Sequence, residues 1–247
     1  MPHFYVKPED INNGIFTMDN EQAHYLSTVR RFNAGDEIMI FDGKGNSYKG
    51  QIKSVSKTRV EGKILSSSYS IQQTAVKLYS AIPKGDRFEW LIEKAAELGV
   101  SEIIPINTKR SVTVSFSESK AQRYEKISIA ASSQCGRNDI MKISEPVSFE
   151  SACKTATATE NSISILPWES EEHGVSINNL FHGDNQPETV NIFIGPEGGF
   201  ENEEAEYAKS LGVKTVSLGK NILRTETAAI AAGILVLNFL ENHEKNK

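Results

Sequence analysis

Between Val76 and Ile106 the chain reads as strand, helix, strand, and this order constrains the fold more than any other feature. Val76 to Ile82 is a strand-like run broken by Pro83-Lys84-Gly85. Phe88, Leu91, Ile92, Ala95 and Ala96 then recur at helical spacing, which predicts a helix with one apolar face. Asp86 and Glu89 have the spacing of a capping box, with Asp in place of Ser or Thr. Gly99 is a natural stop, and Ile103 to Ile106 is the next strand. A crossover helix between two strands predicts a parallel α/β sheet, because parallel neighbours cannot be joined by a tight turn.

The alternation continues to the end of the chain. Helices are predicted over 117–133 and 149–155, then strands over 163–166 and 190–194. A helix over 201–211 carries Glu201, Glu203 and Glu204 in its first turn, where the helix dipole favours negative charge. A strand over 213–218, a loop over 219–225 and a last helix to about 241 complete the pattern.

Residues 1 to 70 read differently. Gly43 and Gly45 mark a tight hairpin turn between strands over 38–41 and 48–55, and a further strand covers 60–65. One helix, around Glu21 to Arg31, interrupts them. Several short strands without crossover helices predict a small barrel or sandwich. The polar stretch Ser66 to Thr74 separates two domains, 1–70 and 75–247.

Composition narrows the function classes. The chain has 247 residues, 38% hydrophobic and 24% charged, as a soluble globular protein does. Its longest nearly apolar run, Ala228 to Leu240, is shorter than the roughly 20 residues of a membrane span. No signal-peptide stretch opens the chain, and the two cysteines, Cys135 and Cys153, fit no zinc, redox or disulfide spacing. The reading is a cytoplasmic protein with no membrane and no metal partner. Residues 1–142 carry 20 Lys and Arg against 16 Asp and Glu, whereas residues 143–247 carry 7 against 16. A polyanion would prefer the first part.

Three loops after predicted strands stand out: Ile165 to Glu169, Gly195 to Phe200, and Leu218 to Thr227. Ligands of open α/β sheets bind beyond the carboxyl ends of strands, and glycines there admit close backbone approach. The chain has no GxGxxG fingerprint, P-loop or GxSxG elbow. His3, His24, His173, His182 and His243 show no metal spacing.

The segments Ile194-Gly195-Pro196-Glu197-Gly198-Gly199-Phe200 and Leu218-Gly219-Lys220-Asn221-Ile222-Leu223-Arg224-Thr225-Glu226-Thr227-Ala228 resemble the two signature loops of the bacterial 16S rRNA (uracil-N3)-methyltransferases, of the SPOUT class. Lys84 to Arg87 with Glu93 to Val100, and Gln134-Cys135-Gly136-Arg137, look like two further blocks of that family. Phe4, Tyr5, His24 and Val29-Arg30-Arg31 look like its small RNA-binding domain. The departures are small: Phe32-Asn33 follows the double Arg, and Asn138-Asp139-Ile140 lacks a proline often seen there.

The resemblance implies an N-terminal PUA-like β-barrel and a C-terminal SPOUT α/β domain tied in a deep trefoil knot. It implies a homodimer that binds S-adenosyl-L-methionine and acts on 16S rRNA or the small ribosomal subunit. Leu166, Gly195, Pro196, Glu197, Gly198, Leu218, Gly219, Ile222, Leu223, Arg224 and Thr225 are then the cofactor-binding candidates. His24, Arg30 and Arg31 are the RNA-binding ones. Attack by uracil N3 on a sulfonium methyl needs a proton acceptor, for which Glu226 and Glu197 are candidates. It also needs a cation near the charge that spreads onto the carbonyl oxygens, for which Arg224 comes first and Arg137 second. A plainer role for Arg224 and Glu226 is a loop-closing ion pair beside a helix cap by Thr225. Two other functions fit the same residue pattern: ribose 2′-O or tRNA methylation within the SPOUT class, and a non-catalytic ribosome-assembly factor.

Overall fold

The computed structural model describes residues 3–111, 116–169, 175–177, 180 and 186–244. The chain divides into two compact units, residues 1–71 with 129–140, and residues 72–128 with 141–247.

The first unit is a curled six-stranded sheet. Its strands are β1 (His3–Tyr5), β2 (Ile11–Asn12), β3 (Ile15–Asp19), β4 (Glu37–Phe41), β5 (Asn46–Val55) and β6 (Arg59–Tyr69), in the order β1-β4-β5-β6-β3-β2. All neighbours are antiparallel except β1 and β4. The end strands β1 and β2 are not paired with each other, so the sheet curls without a closed ring of hydrogen bonds. The β4–β5 turn uses the expected glycines, with φ of +74° at Gly43 and +98° at Gly45. Asp42 fixes it: its Oδ1 accepts the amides of Lys44 (2.8 Å) and Asn46 (3.1 Å). Gly50 and Gly62 serve packing instead. A Cβ on either would collide with the ring of Phe16, which is fully buried in the core with Leu26, Ile38, Ile40 and Val60.

The helix expected over 21–31 breaks in two. Helix α1 (Asn20–His24) continues into a single π turn over Tyr25–Val29, in which the Arg30 amide donates to the Tyr25 carbonyl. Ala23 and Leu26 are buried as their spacing requires. Arg31 then adopts a left-handed φ of +56°, which ends the helical path. A widened turn of this kind is uncommon and concentrates at functional sites.

The second unit is a parallel sheet covered by helices. In chain order it contains β7 (Ala75–Ser80), α2 (Arg87–Leu98), β8 (Glu102–Asn107), α3 (Glu118–Cys135), β9 (Lys142–Ile143) and β10 (Val147–Ser148). There follow α4 (Phe149–Ala158), β11 (Ser162–Pro167), β12 (Val175–Ser176), β13 (Thr189–Ile194), α5 (Asn202–Ser210), β14 (Lys214–Ser217) and α6 (Thr225–Glu244). Helix α3 starts in this unit and ends in the first. The strand order is β10-β8-β7-β13-β11-β14-β12, with β9 also on β8, and every pairing is parallel.

Helix α2 buries the five apolar residues that its spacing selects, and Gly99 caps it with φ of +105°. The capping box does not form: Asp86 makes no side-chain cap bond, and Glu89 is drawn to Arg123 at 2.7 Å. All six residues of β13 are buried, as befits a strand covered on both faces. Phe193 stacks on Tyr79 with centroids 4.7 Å apart, and Phe149 packs edge-on against Phe193. Burial lifts the Tyr79 hydroxyl to a pKa of about 12, with nearby Glu102 adding to the shift. Among the described residues no helix is long and apolar enough to cross a membrane.

Candidate active site

Strands β13, β11 and β14 are neighbours in the sheet, so their carboxyl ends deliver the three expected loops side by side. A cleft opens between the first and third of these loops. It is lined by Pro167, Trp168 and Glu169 after β11, by Ser217 to Leu223 after β14, and by Ala228 of α6. It is a shallow groove of about 120 Å³, open to solvent. Gly219 stands in it with φ of +120°, and no atom lies within 4 Å of where its Cβ would be. Ile222 is 86% exposed, an apolar side chain presented at a cleft rather than to a core.

The second loop lies beside the cleft and is tied to it twice. The Thr225 hydroxyl donates to the Gly195 carbonyl at 3.0 Å, linking the first residue of α6 to the end of β13. The Glu169 carboxylate lies over Gly199, whose left-handed φ of +68° disfavours a side chain and where a Cβ would push that carboxylate aside. At Gly195 a Cβ would press on the Phe200 ring at 3.1 Å, so that glycine serves loop packing.

Chain segments far away in sequence clamp the same loop. Arg110 Nη1 donates to the Gly198 carbonyl at 2.6 Å, and its Nε lies 3.4 Å from Glu201. Glu204 accepts the Glu201 amide with one oxygen and the Lys109 amide with the other, both at 2.9 Å. Lys109 also pairs with Glu203. The first-turn glutamates of α5 thus hold the β8 loop against the helix as well as suiting its dipole.

The charged candidates separate clearly. Glu197 accepts the Lys84 amide at 3.0 Å and lies 3.8 Å from Arg87 Nη1. The Lys84 amide bond, helped by the charges of Lys84 and Arg87, holds its carboxyl below the usual carboxylate range. Glu226 is mostly buried. Its Oε1 lies 3.8 Å from Arg87 Nε, and its Oε2 is buried without a hydrogen-bond partner among the described residues. Arg87 therefore bridges the two carboxylates. Arg224 is exposed, and its guanidinium makes no ion pair or hydrogen bond among the described residues. Among the described residues no Arg224–Glu226 pair forms: Arg87 is the cation beside Glu226, and the Thr225 hydroxyl donates to Gly195.

Of the predicted cofactor-binding residues, Leu218, Gly219, Ile222 and Leu223 line the cleft. Leu166 is wholly buried behind it. Gly195, Pro196, Glu197, Gly198, Arg224 and Thr225 belong to the adjoining loops and do not line it. Pro167, Trp168, Glu169, Ser217, Lys220, Asn221 and Ala228 complete the lining, whereas Lys84, Arg87 and Arg110 act as clamps that local pattern could not reveal. His173 and His182 lie outside the described residues. Among the described residues no cluster of three His, Cys, Asp or Glu could hold a metal ion.

In the first unit, Arg137 is committed to Asp139 through two bonds, Nε to Oδ1 at 3.0 Å and Nη2 to Oδ2 at 2.6 Å. His24, just before the π turn, and Arg30 and Arg31, just after it, are all exposed. The positive excess of residues 1–142 does not sit in this unit, which carries 10 Lys and Arg against 9 Asp and Glu. Any attraction for a polyanion there comes from placement of individual side chains.

Comparison with known proteins agrees with this architecture. Residues 71–237 match the RNA methyltransferase domain family, and residues 18–65 match the RNA methyltransferase PUA domain. The chain is 31% identical to ribosomal RNA small subunit methyltransferase E of Bacillus subtilis over 88% of this chain and 87% of that one. It is 33% identical to the protein of the same name from Mesomycoplasma hyopneumoniae, covering 93% and 96%. The crystal structure of ribosomal RNA small subunit methyltransferase E from Neisseria gonorrhoeae, bound to S-adenosyl methionine, superposes with a TM-score of 0.85 at 27% identity, covering 96% and 97%. With a PUA-like sheet before a parallel α/β unit and three loops converging at its strand ends, the chain belongs to the ribosomal RNA small subunit methyltransferase E family.

Proposed function

We propose that this protein methylates N3 of a uridine in 16S ribosomal RNA, with S-adenosylmethionine held in the cleft between the β11 and β14 loops. The observation that carries the reading is the cleft itself, formed where adjacent parallel strands end and locked to the second loop by Thr225 and Gly195. The residues fit the cofactor. Gly219 leaves open space for a ligand against its backbone, and Trp168, Leu218, Ile222 and Leu223 offer apolar contacts. The bound cofactor supplies an electrophilic methyl group. The protein must then bring uracil N3 to it at attack distance and take the N3 proton.

Glu226 is the better proton acceptor. A buried carboxylate oxygen without a donor is costly, and a ligand N–H would relieve that cost. Glu197 has its charge stabilised by the Lys84 amide and Arg87, which makes it a weaker base. Arg87 acts as a positioning residue that holds Glu226. The guanidinium of Arg224, exposed and without an ion pair among the described residues, can meet the charge that develops on the uracil oxygens. Arg137, already neutralised by Asp139, ranks behind it.

The same reading assigns residues 1–70 to RNA binding, with His24, Arg30 and Arg31 on its exposed turn, and residues 75–247 to catalysis. It includes a trefoil knot at the chain end: β14 adds to the far side of β11 from β13, and α6 then returns to pack on β13 and β7. It includes a homodimer, favoured by Trp90, Ile234 and Leu235, large apolar side chains that stand exposed on α2 and α6. The test is methyl transfer from labelled cofactor to small ribosomal subunits from a strain lacking this chain. Wild type should label 16S rRNA, and Glu226→Gln should not at comparable rate. An unlabelled RNA with wild type would refute the reading.

A further inference from the structure

A cleft of the first unit lies at the π turn. It holds about 510 Å³ and is lined on one side by His3, Phe4, Gln22, Tyr25 and Arg30, and on the other by the last turns of α3, including Gln134. Its chemistry is unlike a leftover gap in a core. Tyr25 is 43% exposed, yet its ring is braced edge-on by Phe4 at 6.4 Å, and Phe4 in turn by Phe32 at 6.1 Å. A braced, half-exposed aromatic is a ready stacking surface.

Polar edges stand around it with unused capacity. His3 Nε2 is buried and has no hydrogen-bond partner among the described residues. Burial lowers the His3 pKa, so the ring is kept neutral and can serve an uncharged partner. Gln22 spends its amide N–H on the Tyr5 carbonyl at 2.7 Å, which fixes its orientation and leaves its carbonyl oxygen as an acceptor. The Gln134 carboxamide is exposed and unbonded among the described residues. Arg30, carried outward by the widened turn, stands at the cleft with an exposed charge.

A flat π face, neutral donors and acceptors around its rim and one cation beside it form a set complementary to a nucleobase and its phosphate. We propose that this cleft captures one unstacked nucleobase of the RNA substrate, stacked on Tyr25, read at its edge by Gln22, Gln134 and His3, with Arg30 on the adjoining phosphate. This rests on the reading of the protein as an RNA methyltransferase and adds a second nucleotide site to it. The captured base is distinct from the methylated uridine and anchors the RNA by a splayed nucleotide. The unit is close to neutral in charge, so stacking has to supply much of the grip.

The test uses the full chain and a short single-stranded RNA with one 2-aminopurine, whose fluorescence changes when the base leaves its RNA neighbours for a protein ring. Wild type should bind with a change in emission, and the same sequence in a blunt duplex should not produce it. Tyr25→Ala should weaken single-strand binding about ten-fold and abolish the emission change, whereas Tyr25→Phe keeps both. Gln134→Ala removes a side chain with no hydrogen bond among the described residues and should weaken binding several-fold, which guards against a folding artefact in the Tyr25 variant. Unchanged binding and emission in Tyr25→Ala or Gln134→Ala would overturn the proposal. Methylation of small subunits, run in parallel, separates this from the proposed activity. Active variants with wild-type RNA binding refute the cleft alone, whereas an inactive wild type refutes the activity.

Discussion

Thr225 and Gly195 are joined by one hydrogen bond, hydroxyl to carbonyl at 3.0 Å, that spans two loops and fixes the start of the last helix against the end of the most buried strand. Thr225 is buried, so removing its hydroxyl leaves a carbonyl in a site that water enters poorly. We expect Thr225→Val to cost about 1–3 kcal/mol, a fall in melting temperature of a few degrees, and to weaken S-adenosylmethionine binding measured by calorimetry. Thr225→Ser should restore both. A valine variant with wild-type affinity would show that the tie does not shape the cofactor cleft.

The loop glycines should separate by role. A Cβ at Gly219 meets no atom but forces a side chain to φ of +120°. Gly219→Ala should therefore lower cofactor affinity more than melting temperature. Gly195→Ala presses on Phe200 at 3.1 Å, so it should lower melting temperature first. The reverse order would place the ligand against Gly195 and away from Gly219.

Arg224 is expected to act late in the reaction. Its side chain is exposed and has no partner among the described residues, so Arg224→Ala should leave the fold and cofactor binding intact. Turnover at saturating substrates should fall about 10²–10³-fold, the usual consequence of losing one positioned electrostatic group. Near-normal turnover would move the role to Arg137 or to backbone donors.

Glu102 offers a pH test of the sheet. Burial would raise its carboxyl, but Ser144 Oγ at 2.5 Å, Lys142 at 3.1 Å and Lys77 at 3.4 Å overcome this and hold it below the usual value. A carboxyl depressed by folding stabilises above its unfolded pKa, near 4.5, and the contribution is lost as pH falls through the lower folded value. Glu102→Gln should thus melt several degrees below wild type at pH 7, with the gap closing in acid. A gap independent of pH would mean that shape, not charge, matters there.

The cysteines should differ in reactivity. Cys135 is exposed, whereas Cys153 is buried and its thiol pushed up to about 12, mainly by burial. Alkylation of the native protein at pH 8 should modify Cys135 and spare Cys153 until denaturant is added. Equal labelling, read by peptide mass spectrometry, would mean that α4 opens freely.

What was legible in the residue order was periodic or local. The apolar spacing of Phe88 to Ala96 placed α2, the Gly43–Gly45 pair placed the hairpin, and the loops at 195–200 and 218–227 fell at the ends of β13 and β14, the two strands that flank β11. Long-range choices were hidden. Asp86 and Glu89 have capping spacing, but Arg123 competes for Glu89 from 34 residues away. Lys84 reaches Glu197 across 113 residues, and Arg110 reaches Gly198 across 88, with no local signal for either. The π turn also went unread, because Ala23 and Leu26 suit an ordinary helix and only the break at Arg31 exposes the difference.

The central claim is the position of the methyl group. Small ribosomal subunits from a strain lacking this chain should be incubated with the protein and labelled S-adenosylmethionine, and the 16S rRNA digested to nucleosides for mass spectrometry. The account expects a single new product, uridine methylated on base N3, formed by wild type and strongly reduced with Glu226→Gln or Arg224→Ala. A methyl group on a ribose 2′ oxygen, on another base, or on no nucleoside at all would contradict it.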